Sequence, residues 1–239
     1  MLKVFIGVDR RQTIAYTVLN YSITSKSSVP VTVSPLFYHQ MPINRRGLTD
    51  FSYSRYCVPY LCDYQGWALF IDADFLCLAD ISQLFSLADD RYAVQVVKHP
   101  EHRFEWPSLM LFNCAKCTAL TPEFIEKHEP QQLNWGEVGS LPKEWNYLVG
   151  YDQHPEPAKM VHYTQGIPAF LEMKGTEYYL DWHSELGAAM ESCSWLELMG
   201  TSVHAQHVIK RLEAQMRLDA PSLEAQSQTK TDQGIKQAS

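Results

Sequence analysis

The chain has 239 residues and a mass of 27.5 kDa; 46% of its residues are hydrophobic and 20% are charged. These proportions predict a folded protein with a sizeable core, and they exclude collagen, coiled coil and wholesale disorder. The net charge of −7 repels polyanions, so nucleic acid is not an expected partner. No apolar run reaches the roughly 18 residues of a transmembrane segment, and we expect a cytoplasmic protein with reduced cysteines.

The first 115 residues alternate short apolar runs with helix-length segments. This pattern predicts an α/β fold, with a mostly parallel sheet between helices. The predicted strands cover residues 3–8, 29–37, 67–71, 92–97 and 109–112. The predicted helices cover residues 13–25, 52–62, 81–87 and 202–218, and one more begins at Thr121 and Pro122.

The second half has a different texture. After about residue 130, Trp, Tyr, Gly, Pro and His follow one another in irregular order, which predicts a loop-rich region closing over a site made by the first half. We expect one domain over residues 1–218. Residues 219–239 contain hardly any large apolar side chains, and we predict a disordered tail there.

Two carboxylates follow the most apolar of the predicted strands. Asp72 and Asp74 end the run WALFIDAD, and in an extended chain such residues point to one side, about 6.6 Å apart. Because like charges repel, this placement predicts a divalent cation between them, and oxygen ligands favour Mg²⁺ or Mn²⁺. Two solvated turn aspartates are the alternative. A metal-dependent phosphatase of the haloacid-dehalogenase type is a more distant alternative. In those enzymes the Asp-x-Asp motif lies on the first strand, whereas here it follows about the third.

Four stretches together resemble glycosyltransferase family 8, whose members have the GT-A fold and transfer a sugar from a nucleotide diphosphate donor. They are FIGVDRRQTIAY (residues 5–16), FSYSRYCVPYL (51–61), FIDADFL (70–76) and KMVHYTQGIP (159–168). The resemblance implies a hexosyltransferase of polysaccharide biosynthesis that uses a UDP-sugar and retains the anomeric configuration. It also implies that residues 1–115 bind the nucleotide sugar and that residues 116–218 face the acceptor.

The resemblance implies a metal site in which Asp72, Asp74 and His162 hold Mn²⁺ or Mg²⁺ against the diphosphate. The candidate donor-binding residues, from the resemblance or from their places at predicted strand ends, are Gly7, Asp9, Arg11, Arg55, Asp72, Lys98, Ser108 and Gly166. Trp145 and Asn146 are candidates for stacking on and bonding to an acceptor, which is a glycan, a lipid-linked group or another hydroxyl compound. No nucleophile is identified; Gln132 and Glu137 are the nearest candidates for a catalytic group.

Each of these residues has a plainer explanation. His162 could be a satisfied core histidine, Arg55 a solvated helix residue, Asp9 a helix cap and Trp145 a core filler. The turn after His162 lacks the lysine common in the family, and the Asp-Gln pair near the family's anomeric carbon has no clear counterpart. A non-catalytic module that binds a nucleotide sugar or a glycan is therefore the alternative function.

Overall fold

The computed structural model describes residues 1–9, 11, 13–153, 157–191, 206 and 210. The chain separates into two compact units, Met1–Ala189 and Met190–Ser239. The predicted tail lies outside the described residues, as does the predicted helix over 202–218 apart from Gln206 and Lys210, so the single domain over 1–218 stays a prediction. Among the helices that are described, none is both long and apolar enough to cross a membrane.

The described residues form nine strands in two sheets. The strands are β1 (Leu2–Gly7), β2 (Val31–Leu36), β3 (Trp67–Asp72), β4 (Phe75–Cys77), β5 (Val94–Val97), β6 (Leu109–Asn113), β7 (Val138–Leu141), β8 (Tyr147–Leu148) and β9 (Met160–His162). The larger sheet has the order β2-β1-β3-β6-β5-β7 and contains all five predicted strands, within one or two residues of the predicted bounds.

The larger sheet is mostly parallel, as the sequence predicts, but β6 is reversed. β1 pairs in parallel with β2 and β3, and β5 pairs in parallel with β7, whereas β6 runs antiparallel to both β3 and β5. The carboxyl ends of β1, β3, β5 and β7 therefore meet the amino end of β6 at one edge of the sheet, which we call the carboxyl edge.

Helices of different length cover this sheet. The described residues include α1 (Thr13–Lys26), α2 (Val58–Leu61), α3 (Ser82–Phe85), α4 (Pro122–Lys127) and α5 (Tyr179–Glu191). The predicted helix over 52–62 is instead a 3₁₀ turn, Ser54–Cys57, that continues into α2. α4 begins where the sequence indicates, because the Thr121 hydroxyl accepts the Phe124 N–H and Pro122 needs no hydrogen-bond partner for its nitrogen.

Two hydrophobic clusters pack on opposite faces of the larger sheet. Leu69 and Ile71 of β3 lie in the cluster that includes α1, while Ala68 and Phe70 lie in the other. This alternation follows from the period of two along a strand. The five described cysteines lie buried as free thiols, in line with the expected reduced state.

A smaller sheet continues from the carboxyl edge. Its order is β4-β9-β8, with Phe75 opposite His162 in the antiparallel β4–β9 pair and Leu148 opposite His162 in the parallel β8–β9 pair. The sequence patterns miss these three strands because each has only two or three residues. The small sheet brings the end of β9 to the end of β3, although about ninety residues separate them along the chain.

Candidate metal centre

Asp72, Asp74 and His162 converge at the carboxyl edge. Asp72 is the last residue of β3, Asp74 lies in the turn between β3 and β4, and His162 is the last residue of β9. One ligand atom from each residue lies within 4.8 Å of those of the other two. The spacing in the sequence predicts that both aspartates lie on one extended strand. Instead, a turn follows Asp72 and brings Asp74 close to it.

One oxygen of each carboxylate in this cluster is buried without a hydrogen bond. Oδ1 of Asp72 and Oδ1 of Asp74 are both buried and accept no hydrogen bond. Arg55 Nη2 lies 3.1 Å from Asp72 Oδ1, and His162 Nε2 lies 3.5 Å from Asp74 Oδ1, so each oxygen has an ion-pair contact but no well-directed donor. A buried polar atom without a hydrogen bond is rare in a native protein, and two adjacent ones fit a cation site.

The protonation of the cluster reflects this burial. Burial raises the pKa of Asp72 to about 7, with Arg55 opposing the rise and Asp74 adding to it. Burial disfavours the charged form of His162, but the carboxylates of Asp74 and Glu105 outweigh this effect and raise the pKa of the imidazole above its usual value. Without a cation, the cluster therefore retains protons around neutral pH.

The ring of His162 has a fixed orientation. It stacks on Phe75, with ring centroids 4.1 Å apart and planes 16° from parallel, and its Nδ1 lies 3.0 Å from Asn146 Oδ1. Because the amide oxygen can only accept, Nδ1 donates, and the neutral ring then keeps a lone pair on Nε2, which faces Asp74. Nε2 therefore lies 3.5 Å from a carboxylate oxygen that the protein leaves without a well-directed hydrogen bond.

Asn146 and Trp145 are not where an acceptor could touch them. Asn146 is fully buried and links His162 to the Glu105 carbonyl, to which its Nδ2 donates at 3.4 Å. Trp145 is also fully buried in the core, so no face of its indole ring is open to a sugar. The predicted acceptor roles of both residues are therefore corrected: Trp145 fills the core, and Asn146 orients His162.

Arg55 is buried and held at three points. Its Nε donates to the Phe51 carbonyl at 3.2 Å, its Nη1 donates to the Pro107 carbonyl at 2.8 Å, and its Nη2 forms the ion pair with Asp72. Only 8% of the residue is exposed, so the alternative of a solvated helix arginine is wrong. The guanidinium places one fixed positive charge directly behind the metal cluster.

Three donor-binding candidates lie at the end of β1. Gly7 is opposite Asp72 in the β1–β3 pair, and a Cβ there would lie 2.6 Å from the Phe51 Cβ, so close packing requires the glycine. Asp9 is nearly buried and accepts two hydrogen bonds from Arg11 Nε, at 2.9 and 3.1 Å, which lower the pKa of its carboxyl. The Arg11 side chain remains 74% exposed.

Lys98 and Ser108 flank the carboxyl edge and have protein partners. Lys98 Nζ donates to the Val138 carbonyl at 3.0 Å. Ser108 Oγ donates at 2.9 Å to Glu105 Oε2, which lies 3.9 Å from His162 Nδ1. Glu105 is a site residue that the sequence reasoning missed, since it belongs to no motif and precedes β6 in a 3₁₀ segment.

The remaining candidates lie in different parts of the molecule. Glu137 precedes β7, and the β5–β7 register places it at the edge opposite to Asp72, so it is not a catalytic group of this cluster. Gln132 lines a cavity of about 620 Å³ together with Pro107, beside the carboxyl edge. Gly166 follows β9 with φ +109°, a backbone conformation that favours glycine, and a Cβ would meet nothing within 4 Å.

Solved structures with similar folds are glycosyltransferases. The bifunctional glycosyltransferase WbbM superposes with a TM-score of 0.60 at 16% identity over 88% of this chain, which spans about half (51%) of WbbM. The galactosyltransferase LgtC gives 0.56 at 10% identity, covering 78% of this chain and 96% of LgtC. GlyE of Streptococcus pneumoniae gives 0.59 at 15% identity, covering 80% of this chain and 63% of GlyE. These superpositions show that the chain has the GT-A fold.

Sequence similarity leads to a plant protein. No family model matches the chain. Protein CDI of Arabidopsis thaliana is 37% identical over 223 residues, an alignment that covers 77% of this chain and 85% of the relative. The chain therefore belongs to the same family as Protein CDI.

Proposed function

We propose that the chain is a metal-dependent glycosyltransferase that transfers a sugar from a UDP-sugar to an acceptor hydroxyl with retention, as its resemblance to family 8 implies. The observation that carries the proposal is the convergence of Asp72, Asp74 and His162, with two buried carboxylate oxygens that lack hydrogen bonds, at the carboxyl edge of a GT-A fold. In open α/β sheets, this edge is where ligands bind.

The donor set suits Mn²⁺ or Mg²⁺. Two carboxylates and one imidazole supply hard oxygen ligands and one nitrogen, and they leave positions for phosphate oxygens. When bound, the dication would neutralise the diphosphate leaving group. Arg55 then serves as the fixed partner of Asp72: it holds that carboxylate at the cluster and offsets part of its charge.

We assign three further residues to contacts with the sugar donor. Asp9 lies at the carboxyl end of β1, where the resemblance to family 8 assigns the uridine, and Arg11 is exposed beside it. We assign Asp9 to the nucleoside and Arg11 to a phosphate oxygen, because the guanidinium of Arg11 is exposed beside Asp9 and carries donors beyond those that bond the carboxylate. Gly166 is assigned to the diphosphate, since its open, positive-φ turn leaves backbone accessible.

The test is UDP release. The full chain is incubated with Mn²⁺ and each of UDP-glucose, UDP-galactose and their N-acetyl derivatives, and UDP is measured with and without EDTA. Release that requires the metal supports the proposal. UDP binding with no release for any donor, with or without added acceptor, would overturn it in favour of a binding module, and release of inorganic phosphate from phosphomonoesters would favour a phosphatase.

A further inference from the structure

We propose that this chain binds a neutral carbohydrate in a surface groove beside the metal cluster, and that this carbohydrate is the acceptor. The acceptor role rests on the proposed function; the carbohydrate binding does not. We define the aromatic groove as two cavities, of about 390 and 620 Å³, together with the aromatic row of Phe104, His102 and Tyr151. Each of these rings lines one of the two cavities, and His102 contacts the other two rings.

The aromatic row is exposed, unlike Trp145. Phe104 is 73% exposed and Tyr151 49% exposed. The His102 ring lies between them, with its centroid 5.9 Å from that of Phe104 and 4.7 Å from that of Tyr151. Rigid rings that remain open to solvent beside a cavity offer flat apolar faces, which fit the apolar face of a pyranose ring.

The smaller cavity supplies hydrogen-bonding groups at one end of the row. His99 lines it, is 2% exposed, and has a buried Nε2 that lacks a hydrogen bond of good geometry. Asp152 lies on the other side of this ring, with Oδ1 3.7 Å from Nδ1. Glu101, Lys143 and Gln153 also line this cavity, and their carboxylate, ammonium and amide groups can exchange hydrogen bonds with ligand hydroxyls.

The larger cavity supplies amides at the other end. Gln131, Gln132 and Asn134 line it together with Arg103 and Phe104. Each amide both donates and accepts, so a row of them matches a row of hydroxyl groups better than it matches an ion.

The charges around the groove favour a neutral occupant. With the imidazoles set aside, Glu101 and Asp152 balance Lys143 and Arg103 among the lining residues. A polyanion would need an excess of cations here, and the net charge of −7 on the whole chain works against it as well. Aromatic faces, amides and balanced charges together fit an uncharged, hydroxyl-rich chain of several sugar units.

The groove lies next to the metal cluster. The connection between β5 and β6 contributes His99 and His102 to the smaller cavity, and Arg103 and Phe104 to the larger one. The next residue, Glu105, approaches His162 to 3.9 Å. The connection that carries His102 and Phe104 thus also carries a residue in contact with His162, and the proposal places a saccharide hydroxyl towards a sugar donor held at the cluster.

The experiment measures saccharide binding without donor or metal. Maltotriose, cellotriose, β-1,4-mannotriose and β-1,4-galactotriose are titrated into the full chain by calorimetry and saturation-transfer NMR, with trigalacturonate as the acidic counterpart. We expect at least one neutral trisaccharide to bind, and we expect Tyr151→Ala and Phe104→Ala each to weaken it about tenfold. Phe170→Ala is the matched control, because Phe170 is 68% exposed and lies outside both cavities.

Three results would overturn the proposal: no neutral trisaccharide binds, only trigalacturonate binds, or the two groove variants bind as the wild type and Phe170→Ala do. The UDP-release assay is read separately. Saccharide binding in the groove without UDP release would support the groove and overturn the proposed transfer. UDP release without saccharide binding would overturn the groove and support transfer to another class of acceptor.

Discussion

Gln95 and Asp72 are buried polar side chains on β5 and β3, the two strands that flank β6. They differ in whether the protein satisfies their hydrogen bonds. Gln95 on β5 is 3% exposed, and the chain satisfies both ends of its amide: Oε1 accepts the Asp89 N–H at 2.8 Å and Nε2 donates to the Leu87 carbonyl at 3.0 Å. Asp72 on β3 is 6% exposed, yet its Oδ1 accepts no hydrogen bond and its nearest neighbours include a second carboxylate.

We interpret the hydrogen-bonded amide of Gln95 as a group whose burial stabilises the fold, and the carboxylate of Asp72 as a group whose burial serves ligand binding. Gln95 joins the loop before β5 to the strand, and its hydrogen bonds offset the cost of removing an amide from water. Asp72 bears a desolvation cost that Arg55 and His162 offset only in part, and the carboxylate of Asp74 increases it. Such a group lowers the stability of the folded protein, and under the proposed function a bound cation would offset this cost.

Asp74→Asn should have the largest effect of the substitutions that test this contrast. We expect metal-dependent UDP release to fall about a hundredfold or more, because the variant loses one anionic ligand of the dication. The melting temperature without metal should stay equal or rise slightly, since a like charge beside Asp72 is removed. Unchanged turnover at the same Mn²⁺ concentration would remove the metal assignment.

Asn146→Leu should weaken metal binding without touching a ligand. Loss of the amide oxygen frees the ring of His162, and we expect the dissociation constant for Mn²⁺, measured by electron paramagnetic resonance titration, to rise about 10- to 100-fold. Asn146→Asp, which keeps an oxygen acceptor for Nδ1, should bind Mn²⁺ more tightly than Asn146→Leu. Equal affinity in the two variants would mean that Asn146 does not orient the ring.

Gln95→Leu should lower the stability of the protein and leave its metal affinity unchanged. The variant leaves the Asp89 N–H and the Leu87 carbonyl without their partner, and we expect the free energy of unfolding, measured in urea, to fall by about 1–3 kcal/mol. The Mn²⁺ affinity of the folded protein should match the wild type. If Gln95→Leu kept its stability but lost metal affinity, the contrast between Gln95 and Asp72 would be wrong.

The pH dependence should be the smallest effect. The pKa values of Asp72 and His162 are raised in the folded state, so both groups favour folding when protonated, and this contribution is lost as pH rises through about 7 for Asp72. Mn²⁺ must displace these protons. Its affinity should therefore rise from pH 6 to pH 8, by about tenfold in total for the proton on Asp72. The increase in melting temperature on adding Mn²⁺ should be larger at pH 8, and a larger increase at pH 6 would contradict the assignment.

The sequence predicts the larger sheet well and the small one not at all. β3 and β6 are continuous apolar runs buried on both faces, and β1 is apolar apart from Lys3, which is a strong local signal. The direction of β6 is not encoded in such a run, because it depends on which strands flank it. β8 and β9 have two and three residues, too few to show any periodicity, although they position His162.

The residues of the candidate site also fall into those that the sequence predicts and those that it does not. Asp72 and Asp74 are recognisable because they follow a strand directly. The roles of Asn146 and Glu105 depend on contacts with His162, which is distant in the sequence, and no local pattern marks them. Trp145 shows the converse, since an aromatic residue near a predicted loop suggests a surface role until its burial is known.

The reversal of β6 has a consequence for how this protein could diversify. Because β5 and β6 are antiparallel neighbours, the segment between them is a hairpin that returns to the carboxyl edge instead of crossing to the far side of the sheet. One short connection thus carries Glu105 together with His102 and Phe104 of the aromatic row. Insertions or exchanges within it would re-tailor saccharide choice while the strand register and the cation ligands stay as they are.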